Sequence, residues 1–300
     1  MPSTEKQDIL DFIDYLRFQK RYSPHTVTSY QNDLVCFFDF LQMQFNSMPL
    51  TEIKTAFVRT WMAQMKEEGL ESKSIARKLS ALRSFFKYHL RLGHIKVSPV
   101  ATIVVPKLNK RLPQFVQEND IAVLLEKVEF PDTWDGRTQR LLIQLLYNTG
   151  IRRAELVGLR ETQVDEFHQY LKVLGKGNKE RIIPVSRELM EIMTSYMAGK
   201  RTQFVASDQE FLLVNKKGNK LSPAYVYKTV KSYLQLVTTI DKKSPHILRH
   251  SFATHLMNNG ADLNAVKELL GHTSLAATQV YTHNSIEKLK DIHSKAHPKA

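Results

Sequence analysis

The chain has 300 residues, enough for two domains, and carries 43 Lys and Arg against 30 Asp and Glu, a formal net charge of +13. Its 42% hydrophobic and 24% charged content is that of a folded globular protein and excludes extensive disorder. A single cysteine, Cys36, excludes an internal disulfide framework and a cysteine-based zinc site, and apolar runs such as 141–147 are too short to span a bilayer.

The first ten residues, MPSTEKQDIL, lack the apolar segment of a secretory signal, so the expected location is cytoplasmic. Ile9, Phe12, Ile13 and Leu16 recur at helical spacing and predict a first helix. Ser23-Pro24 then pairs an N-cap residue with proline at the first helical position. The helix it opens places Val27, Tyr30, Leu34, Phe37, Phe38 and Leu41 on one apolar face. Phe57, Val58, Trp61, Met62 and Met65 predict a third helix ending at Gly69, and a fourth runs from Ser72 to Leu92, stopped by Gly93.

Projection of the fourth helix at about 100° per residue separates two faces. Ile75, Leu79, Leu82, Phe86 and Leu90 point to the core, while Lys73, Arg77, Ser80, Ser84, Lys87 and Arg91 share the other side. No acidic residue of the helix interrupts that stripe, whereas solvated faces usually mix signs. Basic and hydroxyl side chains in such a row suit phosphates and base edges in a DNA groove, so these six are the expected DNA-binding residues.

Pro99, Pro106 and Pro113, with Lys107, Lys110 and Arg111, mark an extended basic linker. The expected organisation is thus a domain over 1–97, a linker over 98–113 and a second domain over 114–300. Net charge is +6 over residues 1–110 and +7 over the rest, so a polyanion touching both parts is the expected partner.

In the second domain, Ile121, Leu124, Leu125 and Val128 begin a helical pattern, and Leu141–Tyr147 forms another, broken at Asn148-Thr149-Gly150. Tyr170–Leu174 and Arg181–Val185 flank a Gly-Asn turn and predict a β-hairpin. Helices follow to the end, which makes the fold mainly α, with an N-terminal four-helix bundle and a mainly helical α+β second domain with a small antiparallel sheet.

Ser244-Pro245 starts a helix that Asn258-Asn259-Gly260 stops, with His246, Arg249 and His250 on one face and Leu248, Phe252 and Leu256 opposite. An imidazole and a guanidinium in the first turns of a helix suit a phosphate, through backbone N–H groups, dipole and the Arg fork together. A metal is the rival reading of His246 and His250, four apart. The pair lacks the intervening glutamate of the metalloprotease pattern, however, and has the cation Arg249 between its members. Arg152 falls in the first turn of another short helix, where a cation opposes the dipole unless an anion is bound there; a surface pair with Glu155 is the competing reading. The hairpin tip, Gly175-Lys176-Gly177-Asn178-Lys179, lacks nucleotide-binding P-loop spacing, as does every other segment, so no ATP-driven chemistry is indicated. Asp262 caps a helix through Val266, Leu269 and Leu270, stopped at Gly271; His272 stands just past it and Tyr281 nine residues on.

Taken together, Thr149-Gly150-Ile151-Arg152-Arg153-Ala154-Glu155-Leu156, Gly175-Lys176-Gly177, His246-x-x-Arg249-His250, Leu270-Gly271-His272 and Tyr281-Thr282-His283 resemble the tyrosine recombinases in order and spacing. The resemblance covers nearly the whole chain and is nearest to the bacterial Xer type, which resolves chromosome dimers. One departure is Arg153, where Xer-like sequences often have a smaller or apolar residue; the spacing favours Arg152 as the site arginine.

That resemblance implies a core-binding (SAM-like) bundle and a catalytic domain closing on duplex DNA. It implies Tyr281 as nucleophile forming a 3′-phosphotyrosyl link, with Arg152, Arg249 and His272 binding the phosphate. His246 would assist proton movement, Lys176 would protonate the departing 5′-oxygen, and Glu155 would orient its neighbours. No metal and no other cofactor is implied. The expected partners are a double-stranded recombination site and further subunits in a tetramer on DNA, of this chain alone or beside a related recombinase, and no membrane. A final stripe, Ile286, Leu289 and Ile292, would dock on a neighbouring subunit or on its own domain. A mobile-element integrase shares this chemistry but often carries an extra N-terminal module, whereas here the core-binding bundle begins almost at once. A type IB-like topoisomerase would act as a monomer, and a non-catalytic DNA-binding protein would form no covalent adduct.

Overall fold

Helices dominate the residues described by the computed structural model, namely 3–46, 48–105, 114–175, 180–204, 210–271, 293 and 295–298. The chain divides into two units, Met1–Arg111 and Leu112–Ala300.

In the first unit, α1 (Ser3–Asp14) runs into one π-helical turn, Tyr15–Gln19, and is followed by α2 (Pro24–Phe45), α3 (Thr55–Glu67) and α4 (Ser72–Arg91). Ser23 caps α2 as its sequence requires, its hydroxyl accepting from the Thr26 N–H. The core is aromatic: Phe12, Phe37, Phe38, Phe85 and Phe86 are completely buried. Phe85 meets Phe12 edge-on at 5.5 Å and Phe38 at 5.6 Å, arrangements in which the positive ring edge faces a negative π cloud.

Two expectations change here. Leu90 is 42% exposed, while Phe85 and His89 are buried instead, because the inward face of α4 turns about that pair as the helix nears its end. The stretch expected as linker also starts inside this unit. Val100 and Ile103 are buried with Ile95 in the same core, and Arg83 donates to the Ile103 carbonyl at 2.5 Å. The prolines signalled an extended chain, but the apolar pair three residues apart holds its first part down. Residues 106–113 lie outside the described set.

The second unit contains α5 (Glu118–Glu126), α6 (Trp134–Thr149), α7 (Arg153–Gly158), strands β1 (Val164–Asp165), β2 (Tyr170–Leu174) and β3 (Glu180–Pro184), then α8 (Arg187–Gln203), α9 (Pro223–Val237), α10 (Pro245–Asn258) and α11 (Leu263–Leu270). The apolar run of α6 is buried on every side from Leu141 to Thr149, as a helix without a polar face must be. The strands form an antiparallel meander in the order β1-β2-β3, with Leu171 opposite Ile183 and Val173 opposite Arg181. The predicted hairpin is therefore present, with one further short strand, and its tip at 176–179 falls outside the described residues. No helix among the described residues is long and apolar enough to cross a membrane.

Of the tail, Ile286, Leu289 and Ile292 lie outside the described residues. The described part packs on its own unit: His293 Nε2 lies 3.1 Å from the Asn148 carbonyl, Asn259 donates to the Ala296 carbonyl at 3.0 Å, and His297 stacks on His293 at 4.9 Å.

Phe85→Ala removes a ring that meets Phe12, Phe38, Phe86 and His89. It is expected to destabilise the first unit by about 3–5 kcal/mol, seen as a lower urea midpoint for that unit in the full chain.

Candidate active site

The geometry of the site begins with a helix stop. Gly150 ends α6 at φ 58, and a Cβ there would stand 2.5 Å from the Phe252 ring, so both conformation and space demand glycine. The sharp exit buries Ile151 and brings Arg152 to the N-cap of α7. There Glu155, one turn on, accepts the Arg152 backbone N–H at 2.9 Å and its Nη1 at 2.8 Å. The Arg152–Glu155 pair thus exists, but it is no surface pair: the Glu155 side chain is only 6% exposed.

The residue responsible is one that sequence reasoning missed. Arg181, on β3 and almost completely buried, donates to both Glu155 oxygens at 2.9 and 2.8 Å and through Nε to the Leu269 carbonyl at 2.8 Å. Its signal was strand parity, since Arg181 alternates with Ile183 on the inward face. An arginine at an inward strand position requires a buried acceptor. Burial alone would raise the Glu155 pKa, but the bonds and charge of Arg181, aided by Arg152, hold it down at about 2. Gly271, which ends α11 at φ 62, is fixed by the same residue: a Cβ there would lie 2.9 Å from Arg181 Cδ.

Arg249 enters from α10 and is also buried. It donates to the Gly150 carbonyl and to the Leu270 carbonyl, the latter at 2.6 Å, while Arg152 Nη2 reaches the Gly271 carbonyl at 3.0 Å. These carbonyls belong to the C-terminal ends of α6 and α11, where the last C=O groups lack intrahelical partners and the dipole is negative. Arg249 therefore engages the ends of other helices in addition to standing near the start of its own. Burial, then the charges of Arg152 and Arg181, lower its pKa to about 10, which leaves it protonated at neutral pH. Three guanidiniums and one carboxylate thus share one small volume with an excess of positive charge. The Arg152 side chain, 31% exposed, is the most open of them.

His246 is exposed in the first turn of α10 and His250 is half-buried. Lys176, His272 and Tyr281 lie outside the described residues, although His272 directly follows the Gly271 held by Arg152. The structure thus brings together Arg152, Glu155 and Arg249 and adds Arg181.

On α4, Lys73, Arg77, Ser80, Lys87 and Arg91 are exposed and Ser84 is half-buried. The stripe is less purely basic than its own helix suggests. Asp33, buried on α2, binds Arg77 and lies 3.2 Å from Lys78, and Arg77 also donates to Ser29 at 2.6 Å. Ser80 donates to the Ala76 carbonyl at 2.9 Å, and the Arg91 guanidinium lies over the Tyr15 ring at 4.6 Å. Among the described residues Lys73 and Lys87 make no ion pair.

Residues 114–288 match the model of the phage integrase family, and residues 9–93 match the phage integrase N-terminal SAM-like domain. The chain is 37% identical to a tyrosine recombinase XerC of Chlorobaculum parvum, covering 96% of this chain and 94% of the relative. It is 38% identical to the XerC of Pelotomaculum thermopropionicum, covering 97% of each chain. Among solved structures it is similar to a XerH site-specific recombinase bound to a palindromic difH substrate, at 26% identity and a TM-score of 0.71, over 89% of this chain and 79% of that one. A lambda integrase tetramer bound to a Holliday junction shares the fold at 18% identity and a TM-score of 0.69, over 93% and 82%.

Because Glu155 ionises more readily folded than unfolded, its contribution is complete above about pH 4.5 and is lost as pH falls towards 2. Wild type is expected to lose about 3 kcal/mol more than Glu155→Gln across that window, measured by urea denaturation at stepped pH. Arg181→Ala, which leaves the buried Glu155 carboxylate with Arg152 as its remaining guanidinium partner, is expected to cost about 3–5 kcal/mol at neutral pH by the same measurement.

Proposed function

The chain belongs to the phage integrase family, and on that premise we propose that it is a site-specific recombinase that cuts and rejoins duplex DNA through a 3′-phosphotyrosyl intermediate, resolving chromosome or plasmid dimers in the cytoplasm. The observation that carries this reading is the positively charged cluster of Arg152, Arg181 and Arg249 around Glu155. Such a cluster is positioned before any substrate arrives.

The Tyr281 oxygen attacks phosphorus, forming the phosphotyrosyl bond as the bond to the 5′-oxygen breaks. In passing through a five-coordinate phosphorus the phosphate gains negative charge on its non-bridging oxygens. Arg152 and Arg249 each commit two donors to protein acceptors, and a guanidinium has N–H groups left beyond those. These face the developing charge as fixed donors, the arrangement in which loss of one donor slows a reaction by about 10²–10³-fold. His272 adds a further bond to the same oxygens. Tyrosine, with an ordinary pKa near 10, is a weak nucleophile at neutral pH, so His246 assists removal of its proton. Lys176 gives a proton to the departing 5′-oxygen.

The roles of Arg181 and Glu155 are indirect. They hold Arg152 and the end of α11 in place and touch no reacting atom. Rejoining reverses the steps: a 5′-hydroxyl attacks the phosphotyrosyl bond, so the energy of the cleaved phosphodiester is retained and no ATP is needed. The first unit, taken as the core-binding domain, lays α4 against the duplex through Lys73, Arg77, Ser80, Ser84, Lys87 and Arg91. The working assembly on paired sites is a tetramer, of this chain alone or with a related recombinase, like the lambda integrase tetramer on a Holliday junction.

Wild type incubated with nicked duplexes carrying candidate sites, without metal or ATP, is expected to give a covalent protein–DNA band on a denaturing gel. Tyr281→Phe is expected to give none while binding the same duplex undiminished. Loss of binding in that variant would overturn the division of roles.

A further inference from the structure

A second group of side chains, in the first unit, takes no part in the recombination chemistry. Gly93 ends α4 at φ 78; the His94 N–H returns to the His89 carbonyl at 3.0 Å and the Gly93 N–H to the Leu90 carbonyl at 3.2 Å. This is the Schellman stop, which sets the side chains on either side of it against each other, ordinarily as an apolar contact. Here both are imidazoles, with Nδ1 atoms 3.1 Å apart. Asp8 of α1 faces the pair, and one ligand atom from each of the three residues lies within 4.8 Å of the others.

We propose that Asp8, His89 and His94 bind one divalent transition-metal ion of the zinc type, which ties α1 to the C-terminal end of α4.

Two imidazole nitrogens on one tetrahedral zinc, each about 2.0–2.1 Å from it, stand about 3.3 Å apart. The two Nδ1 atoms already have nearly that separation. A carboxylate oxygen of Asp8, a half-buried residue, lies within 4.8 Å of a ring nitrogen of each histidine. His89 is buried, packed on Phe85 at 4.4 Å and on Tyr88 at 5.0 Å, so its ring direction is fixed by the core. His94 is fixed in backbone by the stop but exposed in side chain, which gives the metal a route in and leaves solvent for a fourth ligand. Two imidazoles and one carboxylate suit zinc, nickel or copper and not the oxygen-seeking magnesium or calcium. A simple N–H···N bond between the two rings would need neither Asp8 nor a metal.

The full-length chain titrated with Co²⁺, and then with Zn²⁺ in competition, separates the two accounts. Wild type is expected to show a saturable visible spectrum from one Co²⁺ per chain, displaced by Zn²⁺, and a higher melting temperature for the first unit with Zn²⁺ bound. His94→Ala and Asp8→Asn are each expected to weaken Zn²⁺ binding by at least about tenfold, with an unchanged far-ultraviolet circular dichroism spectrum. His168→Ala, in the other unit, should bind as wild type does. His89→Ala is unsuitable, because it also opens the core. Wild-type affinity in both His94→Ala and Asp8→Asn, or no saturable Co²⁺ spectrum in wild type, would overturn the proposal.

Discussion

The Glu155 carboxylate accepts from two guanidiniums and one backbone N–H, and the position of three separate stretches of chain depends on it. Through Arg152 it holds the turn that leaves α6. Through Arg181 it holds β3, and Arg181 in turn holds the last turn of α11 by the Leu269 carbonyl. Three guanidiniums drawn this close in a poorly solvated volume would repel each other without an anion among them. A single carboxylate offsets part of that repulsion and leaves the net charge positive, which is the condition a phosphate-binding centre requires.

The remaining donors are directed by helix ends. Carbonyls at the C-termini of α6 and α11 accept from Arg249 and Arg152, and both helices are terminated by left-handed glycines, Gly150 and Gly271. The two glycines serve the charge cluster as well as the fold. Each ends its helix where a carbonyl must face a guanidinium, and each lies where a side chain would strike Phe252 or Arg181. Backbone geometry and the electrostatics of the guanidinium cluster are thus set by the same positions.

Much of this was legible in the sequence. Caps at Ser23 and Asp262 and stops at Gly69, Gly93, Gly150 and Gly271 are local rules, and they placed the helices well. Arg152, Glu155 and Arg249 were legible as a set because their spacing carries a family resemblance. What was not legible depends on contacts between elements distant in the chain. Arg181 meets Glu155 across 26 residues and Leu269 across 88; strand parity turns it inward, but nothing near it in sequence names the acceptors it meets there. Asp33, 44 residues before Arg77, is invisible to a projection of α4 alone. Val100 and Ile103 were obscured by the prolines around them, since short-range punctuation says where a chain cannot be helical and not what it packs on.

The Asp33 pair changes what the face of α4 would release on meeting a polyanion. A guanidinium already neutralised by a carboxylate neutralises less of a phosphate's charge and displaces less of the counterion condensed on the DNA, and a phosphate reaching Arg77 must displace or share that carboxylate. A duplex laid on this helix would therefore show a shallower dependence of affinity on salt than the number of basic side chains suggests. Lys73 and Lys87 would supply the long-range, salt-sensitive attraction. Arg77 and Arg91, tied to Asp33 and Tyr15, would contribute position, already ordered and so with less conformational freedom to surrender.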